Sequence, residues 1–125
     1  MARKKLFVSF DYDNDKVLYE FIIGQAKLPD LPFSISDHSL KESEPERNWE
    51  AKALAAIRRA DTFVVMVGPK TRYARGVKKE IAMAVRLGKP RVQIIGYRTG
   101  TSAWAVPGAG RVYRWNWNNL KRLLA

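Results

Sequence analysis

Asp61-Thr62-Phe63-Val64-Val65-Met66-Val67 is a nearly unbroken apolar run, rich in β-branched residues, that stops at Gly68-Pro69. A strand with one wet face alternates apolar and polar side chains. A run without alternation belongs to a strand covered on both faces, as in a parallel sheet. Upstream of it, Ser43-Glu44-Pro45-Glu46 is a capping box with proline in the first turn. Behind that box, Trp49, Ala53, Ala56, Ile57 and Ala60 recur at helical spacing. Downstream, a helix over 75–87 stops at Gly88, with Pro90 beyond. Residues 91–97 read as the next strand, 99–110 as a flexible loop carrying Trp104, 111–115 as a short edge strand and 116–125 as a last helix.

The N-terminal part repeats the pattern. Residues 5–10 (KLFVSF) form a strand signal that ends at the acidic cluster Asp11-Tyr12-Asp13-Asn14-Asp15, which is helix-start chemistry. Val17, Leu18, Phe21 and Ile22 follow helical spacing to about Leu28-Pro29, and Leu31, Phe33 and Ile35 alternate as a second strand. Strands and helices in alternation, joined by short connections, predict an α/β domain. The expected form is flavodoxin-like: a three-layer sandwich around a five-stranded parallel sheet of order 2-1-3-4-5, one domain over 1–125. Ligands then bind outside the carboxyl ends of the strands, between strands one and three. The loops facing that crevice are 10–15 and 68–75.

Composition narrows the function. There are no cysteines, which excludes disulfides and thiolate chemistry and fits a cytoplasmic protein. A single histidine, His38, and no clustered carboxylates make a metal site unexpected, and no apolar run approaches a membrane span. The net charge of +11 raises nucleic acid as a partner. The bases are scattered, however, and nothing resembles a zinc finger, a helix-turn-helix or an aromatic RNA-binding strand motif, so a smaller polyanion such as a dinucleotide explains a basic cleft equally well.

The charge is also lopsided. From Phe63 onward there are thirteen Lys and Arg and one carboxylate, Glu80. Its helical neighbours at three and four residues are Gly76, Val77, Met83 and Ala84, none of them cationic, so Glu80 has no local ion pair. Either it is an orphan surface acid, or it is kept for chemistry. On the helix it falls at the edge of the buried stripe.

One carboxylate is too few for ordinary glycoside hydrolysis, where a second must protonate the leaving oxygen. It is enough for cleaving nicotinamide from NAD+, because the pyridinium departs as a neutral molecule and needs no acid. The oxocarbenium-like ribose left behind is stabilised by a nearby anion. Arg72, Arg75, Lys78 and Lys79 would favour the ionised carboxylate and meet the pyrophosphate.

The segment 5–15 resembles the first strand and following loop of TIR-like domains, and most of all the small bacterial ones of Thoeris-type antiphage signalling. Gly68-Pro69-Lys70-Thr71 leading to Val77-Lys78-Lys79-Glu80-Ile81 resembles the segment bearing the catalytic glutamate of that group, and Gly88-Lys89-Pro90 continues the match. The resemblance covers roughly residues 4–97. It implies a flavodoxin-like enzyme that cleaves NAD+ as a substrate, without a bound cofactor. The product is ADP-ribose or a cyclic or conjugated signal that reaches a downstream effector. It further implies that Glu80 is catalytic, that Ser9, Phe10, Asp11 and Tyr12 line the pocket, and that 37–44 is a mobile loop helping to close the site and join subunits into a homo-oligomer on activation.

One departure stands out. Many relatives carry tryptophan four residues before the glutamate, where this chain has Gly76. The aromatic wall then falls to Tyr73, Tyr12 or Phe10.

Each residue also has a structural reading. Ser9 can be a small polar residue packed under a helix, and Phe10 a core residue. Asp11 can cap the first helix, a role worth about 1 kcal/mol. His38 is either an assisting base or a solvated loop residue, and Trp49 sits at core spacing. Three other functions remain beside the NAD+-cleaving enzyme: a catalytically silent TIR-type interaction module, a basic nucleic-acid-binding domain, and a nucleoside deoxyribosyltransferase.

Overall fold

In the computed structural model, the described residues are 4–11, 33–35, 46–95 and 104–114. They form five strands: β1 (Lys4–Ser9), β2 (Phe33–Ile35), β3 (Thr62–Val67), β4 (Arg91–Ile95) and β5 (Arg111–Arg114). Two helices are described, α1 (Glu46–Arg59) and α2 (Arg75–Arg86), with a short 3-10 turn at Thr71–Tyr73 between β3 and α2. The order across the sheet is β2-β1-β3-β4-β5, and each neighbouring pair is parallel.

The apolar run that opened the reading is β3, and every residue from Thr62 to Val67 is buried. Its two faces do different things. Phe63, Val65 and Val67, with Phe7 of β1 and Ile95 of β4, face the cluster formed by Ala53, Ala56 and Ile57 of α1 and Val77, Ile81 and Ala84 of α2. Phe7 and Phe63 stack there, with centroids 5.7 Å apart and planes 7° from parallel. The small alanines of α1 leave room for these two large rings. Alternation sends Leu6, Val8, Val64 and Met66 to the other face, and all four are also fully buried.

Register is set where β1 and β3 begin. The Lys5 N–H donates to Asp61 Oδ2 at 2.8 Å, and the Asp61 N–H donates to the Lys5 carbonyl at 2.8 Å. From that clamp the pairs run Leu6↔Thr62, Phe7↔Phe63, Val8↔Val64 and Ser9↔Val65.

The helix ends follow elementary capping chemistry. At the end of α1, the Lys89 ammonium donates to the carbonyls of Arg58 and Ala60, both at 2.8 Å, and so serves acceptors the helix itself leaves open. α2 ends in a Schellman arrangement. The Lys89 N–H reaches back to the Ala84 carbonyl and the Gly88 N–H to Val85, with Gly88 at φ 65°.

Several boundaries differ from expectation. β1 spans Lys4–Ser9 rather than 5–10 and α2 ends at Arg86 rather than at 87, while residues 96–97 and 115, expected to complete β4 and β5, lie outside the described residues. The segment 104–110, expected as part of a flexible loop, is tied down. Its Val106 and Ala109 are buried, and the Gln93 side chain holds it. The amide Nε2 of Gln93 donates to the carbonyls of Val106 and Gly110, both at 2.9 Å, and its Oε1 accepts the Val106 N–H at 2.7 Å. The expected helices after 11 and after 115, the loop 37–44 and the capping box lie outside the described residues, apart from Glu46 itself.

Candidate active site

The turn leaving β3 is built by Thr71. Its hydroxyl accepts the Gly68 N–H at 2.7 Å, and its carbonyl accepts the Ala74 N–H at 3.0 Å. Ala74 is extended, at φ −70° and ψ 118°, and α2 starts behind it without any side-chain cap. The helix then folds back over the sheet. At about 100° per residue, Val77, Glu80, Ile81 and Ala84 share one stripe, and all four are buried.

Glu80 is therefore inside the buried stripe, with 0% of its surface exposed, rather than at the stripe's edge. Full burial of a glutamate is uncommon unless something holds it. Here Ser9 does, its hydroxyl donating to Glu80 Oε1 at 2.6 Å with both groups buried. That length lies in the range of bonds strengthened by an ionised acceptor. The second carboxylate oxygen is enclosed as well. Ser9 is the last residue of β1, on the same face as Phe7, so alternation delivers its hydroxyl to the α2 side.

The basic residues expected around Glu80 have the following surroundings. Lys79 pairs with Glu50 of α1 at 2.5 Å and ties the two helices together. Lys78 is exposed and projects about 160° around the helix axis from Glu80. Arg75 is exposed in the first turn of α2. Arg72 lies over the ring of Tyr73, its guanidinium carbon 4.7 Å from the centroid. Arg72, Tyr73, Lys78, Ile81, Val106 and Pro107 line a cavity of about 460 Å³, and neither Ser9 nor Glu80 is part of its lining.

Of the other candidates, Phe10 is fully buried and ranks among the largest enclosed side chains. Asp11 is buried just beyond the end of β1, 7% exposed. Tyr12 and His38 lie outside the described residues. Among the described residues, no group of three or more His, Cys, Asp or Glu is placed to hold a metal ion. No described helix is long and apolar enough to cross a membrane.

One residue that matters was not singled out from sequence: Gln93, which fixes the wall containing Val106. A lone amide inside the otherwise apolar strand Val92-Gln93-Ile94-Ile95 was its only signal.

A buried carboxylate in a water-poor setting, hydrogen-bonded to the Ser9 hydroxyl near the carboxyl end of a central strand, can stabilise a developing cation or attack an electrophilic carbon. The fold and this pair define a parallel α/β domain with an acid set where such folds bind ligands. The chain belongs to the family of the Thoeris protein ThsB, TIR-like domain, whose model matches residues 7–101. Its fold is similar to that of the Clostridium botulinum CMP N-glycosidase BcmB, with a TM-score of 0.59 at 16% identity, covering 97% of this chain and 94% of that one. Comparison with curated proteins yields no match.

Proposed function

We propose that this chain cleaves the N-glycosidic bond of a nucleotide, with NAD+ as the substrate and Glu80 as the catalytic residue. The observation that carries the reading is the buried Ser9–Glu80 hydrogen bond of 2.6 Å. A carboxylate enclosed in the core carries a desolvation cost that an apolar residue at the same place would avoid. Its placement makes sense as chemistry.

In the proposed reaction the C1′–N bond of the nicotinamide riboside breaks, and its electron pair goes to the pyridinium nitrogen. Nicotinamide leaves neutral, and Glu80 faces the cationic ribose carbon. Water or a hydroxyl of the substrate then adds at C1′ and loses its proton, giving ADP-ribose or a cyclic product. Ser9 keeps the carboxylate oriented. Asp11, Tyr12, Phe10 and His38 complete the proposed substrate-binding set, and Arg75 at the start of α2 meets the pyrophosphate.

Family membership supports a role in antiphage defence, in which the product is a signal to an effector and the active form is a homo-oligomer. The burial of both faces of β1 and β3 supports the flavodoxin-like, three-layer arrangement. The similar fold of a CMP N-glycosidase favours CMP as the competing substrate.

The test is to incubate the purified chain with NAD+ and, separately, with CMP, with and without phage-infected lysate, and to identify products by mass spectrometry. Nicotinamide release that disappears in Glu80→Gln supports the proposal. Cytosine release alone would reassign the substrate, and no product under either condition would leave an interaction module as the better reading.

A further inference from the structure

The cavity beside α2 stands apart from the Ser9–Glu80 pair and has a chemistry of its own. Ile81, Val106 and Pro107 supply apolar lining, while Arg72 and Lys78 supply two cations. Tyr73 is 66% exposed and carries the Arg72 guanidinium 4.7 Å from its ring centroid. At about 460 Å³ the space falls within the usual range of small-molecule sites.

Its wall is preformed. The three hydrogen bonds between the Gln93 side chain and the backbone of Val106 and Gly110 hold the segment that presents Val106 and Pro107. An aromatic ring beside a guanidinium offers planar faces on which a base stacks. The ammonium and guanidinium offer donors suited to a phosphate. The surrounding half of the chain, with thirteen cations and one acid, selects against cationic ligands.

We propose that this cavity is a second ligand site that binds a nucleoside monophosphate, with the base against Tyr73 and Arg72 and the phosphate at Lys78. Ile81 of its lining belongs to the same buried stripe as Glu80, but Lys78 projects about 160° around the helix from Glu80, and neither Ser9 nor Glu80 lines the cavity. A ligand seated there is held without being cleaved. The proposal does not depend on the NAD+ reading, because binding and turnover use different side chains.

The experiment is calorimetric titration of the Glu80→Gln chain with AMP at about 0.15 M salt, where weak surface attraction is screened. Saturable binding is expected. Tyr73→Ala and Lys78→Ala should each weaken it roughly tenfold or more. Adenosine should bind more weakly than AMP, and that gap should close in Lys78→Ala. Ser9→Ala should leave AMP affinity unchanged. Tyr73 and Lys78 are exposed, so both substitutions are compatible with folding, checked by circular dichroism. The proposal is overturned if AMP fails to saturate at millimolar concentration, or if the Tyr73 and Lys78 variants bind as the parent does. It is equally overturned if Ser9→Ala abolishes binding, which would place the ligand at the Glu80 pair.

Discussion

The Ser9 hydroxyl and the Glu80 carboxylate are 71 residues apart in the chain and meet at 2.6 Å in the core. Two independent pieces of geometry bring them together. Parallel pairing sets Ser9 beside Val65 at the carboxyl end of β1. The turn after β3, closed by Thr71, sends α2 back across that end with Glu80 on its inner stripe. Neither segment creates the pair alone.

Glu80→Gln keeps an oxygen that accepts the Ser9 hydroxyl and removes the negative charge. Nicotinamide release should fall roughly 10²-fold or more, since the lost interaction is electrostatic stabilisation of the reacting ribose. Thermal unfolding should shift by no more than a few degrees. A glutamine variant that turns over NAD+ at the parent rate would remove Glu80 from the mechanism. Both proteins must be compared under conditions where the parent is active.

Ser9→Ala leaves Glu80 in place but deprives it of its donor. A hydrogen bond to a charged group is worth about 1.5–3 kcal/mol, so kcat should drop roughly ten- to a hundredfold while KM changes little. Because the donor favours the anion, its loss should move the acidic limb of the pH–rate profile upward. An unchanged profile with an unchanged rate would mean that the hydroxyl only fills space.

How much of this was legible in the sequence depends on how far each signal reaches. The unbroken run at β3 and the glycine after α2 act over a few residues, so the parallel α/β class and the span of α2 could be read directly. Glu80 stood out by charge counting alone. Ser9 was named only through the family resemblance, because it becomes Glu80's neighbour only through the strand order. Lys79 was expected to act on the site, but Glu50 of α1, 29 residues earlier, claims it. Gln93 shows no local pattern at all, since its bonds reach 13 and 17 residues along the chain.

Gln93→Leu should be costly despite fitting an apolar strand. It strands the buried Val106 N–H and takes a donor from the carbonyls of Val106, which keeps the Ala109 N–H, and of Gly110, and an unsatisfied buried group costs about 1–3 kcal/mol. A loss of about 3 kcal/mol in urea denaturation is expected. A change below about 0.5 kcal/mol would show that the loop finds other partners.

Two glycines with left-handed backbones should respond very differently to alanine. At Gly110, with φ 91°, a Cβ would lie 2.1 Å from the Arg91 carbonyl oxygen, so Gly110→Ala should destabilise by about 4 kcal/mol or prevent folding. At Gly88, with φ 65°, nothing lies within 4 Å of an added Cβ, and Gly88→Ala should cost only the backbone term, about 1–2 kcal/mol. Equal losses in parallel melts would contradict the close approach of 110 to β4.

The clamp between Lys5 and Asp61 makes β1 a counting device. Removing any one residue between the clamp and Ser9 would turn the serine to the opposite face and bring Phe10 under Glu80. A point substitution at Leu6 or Val8 alters packing, but a deletion there exchanges a hydroxyl for a benzyl group at the carboxylate. Among sequences that keep the pair, gaps and insertions should therefore be excluded from this stretch even where the apolar residues drift.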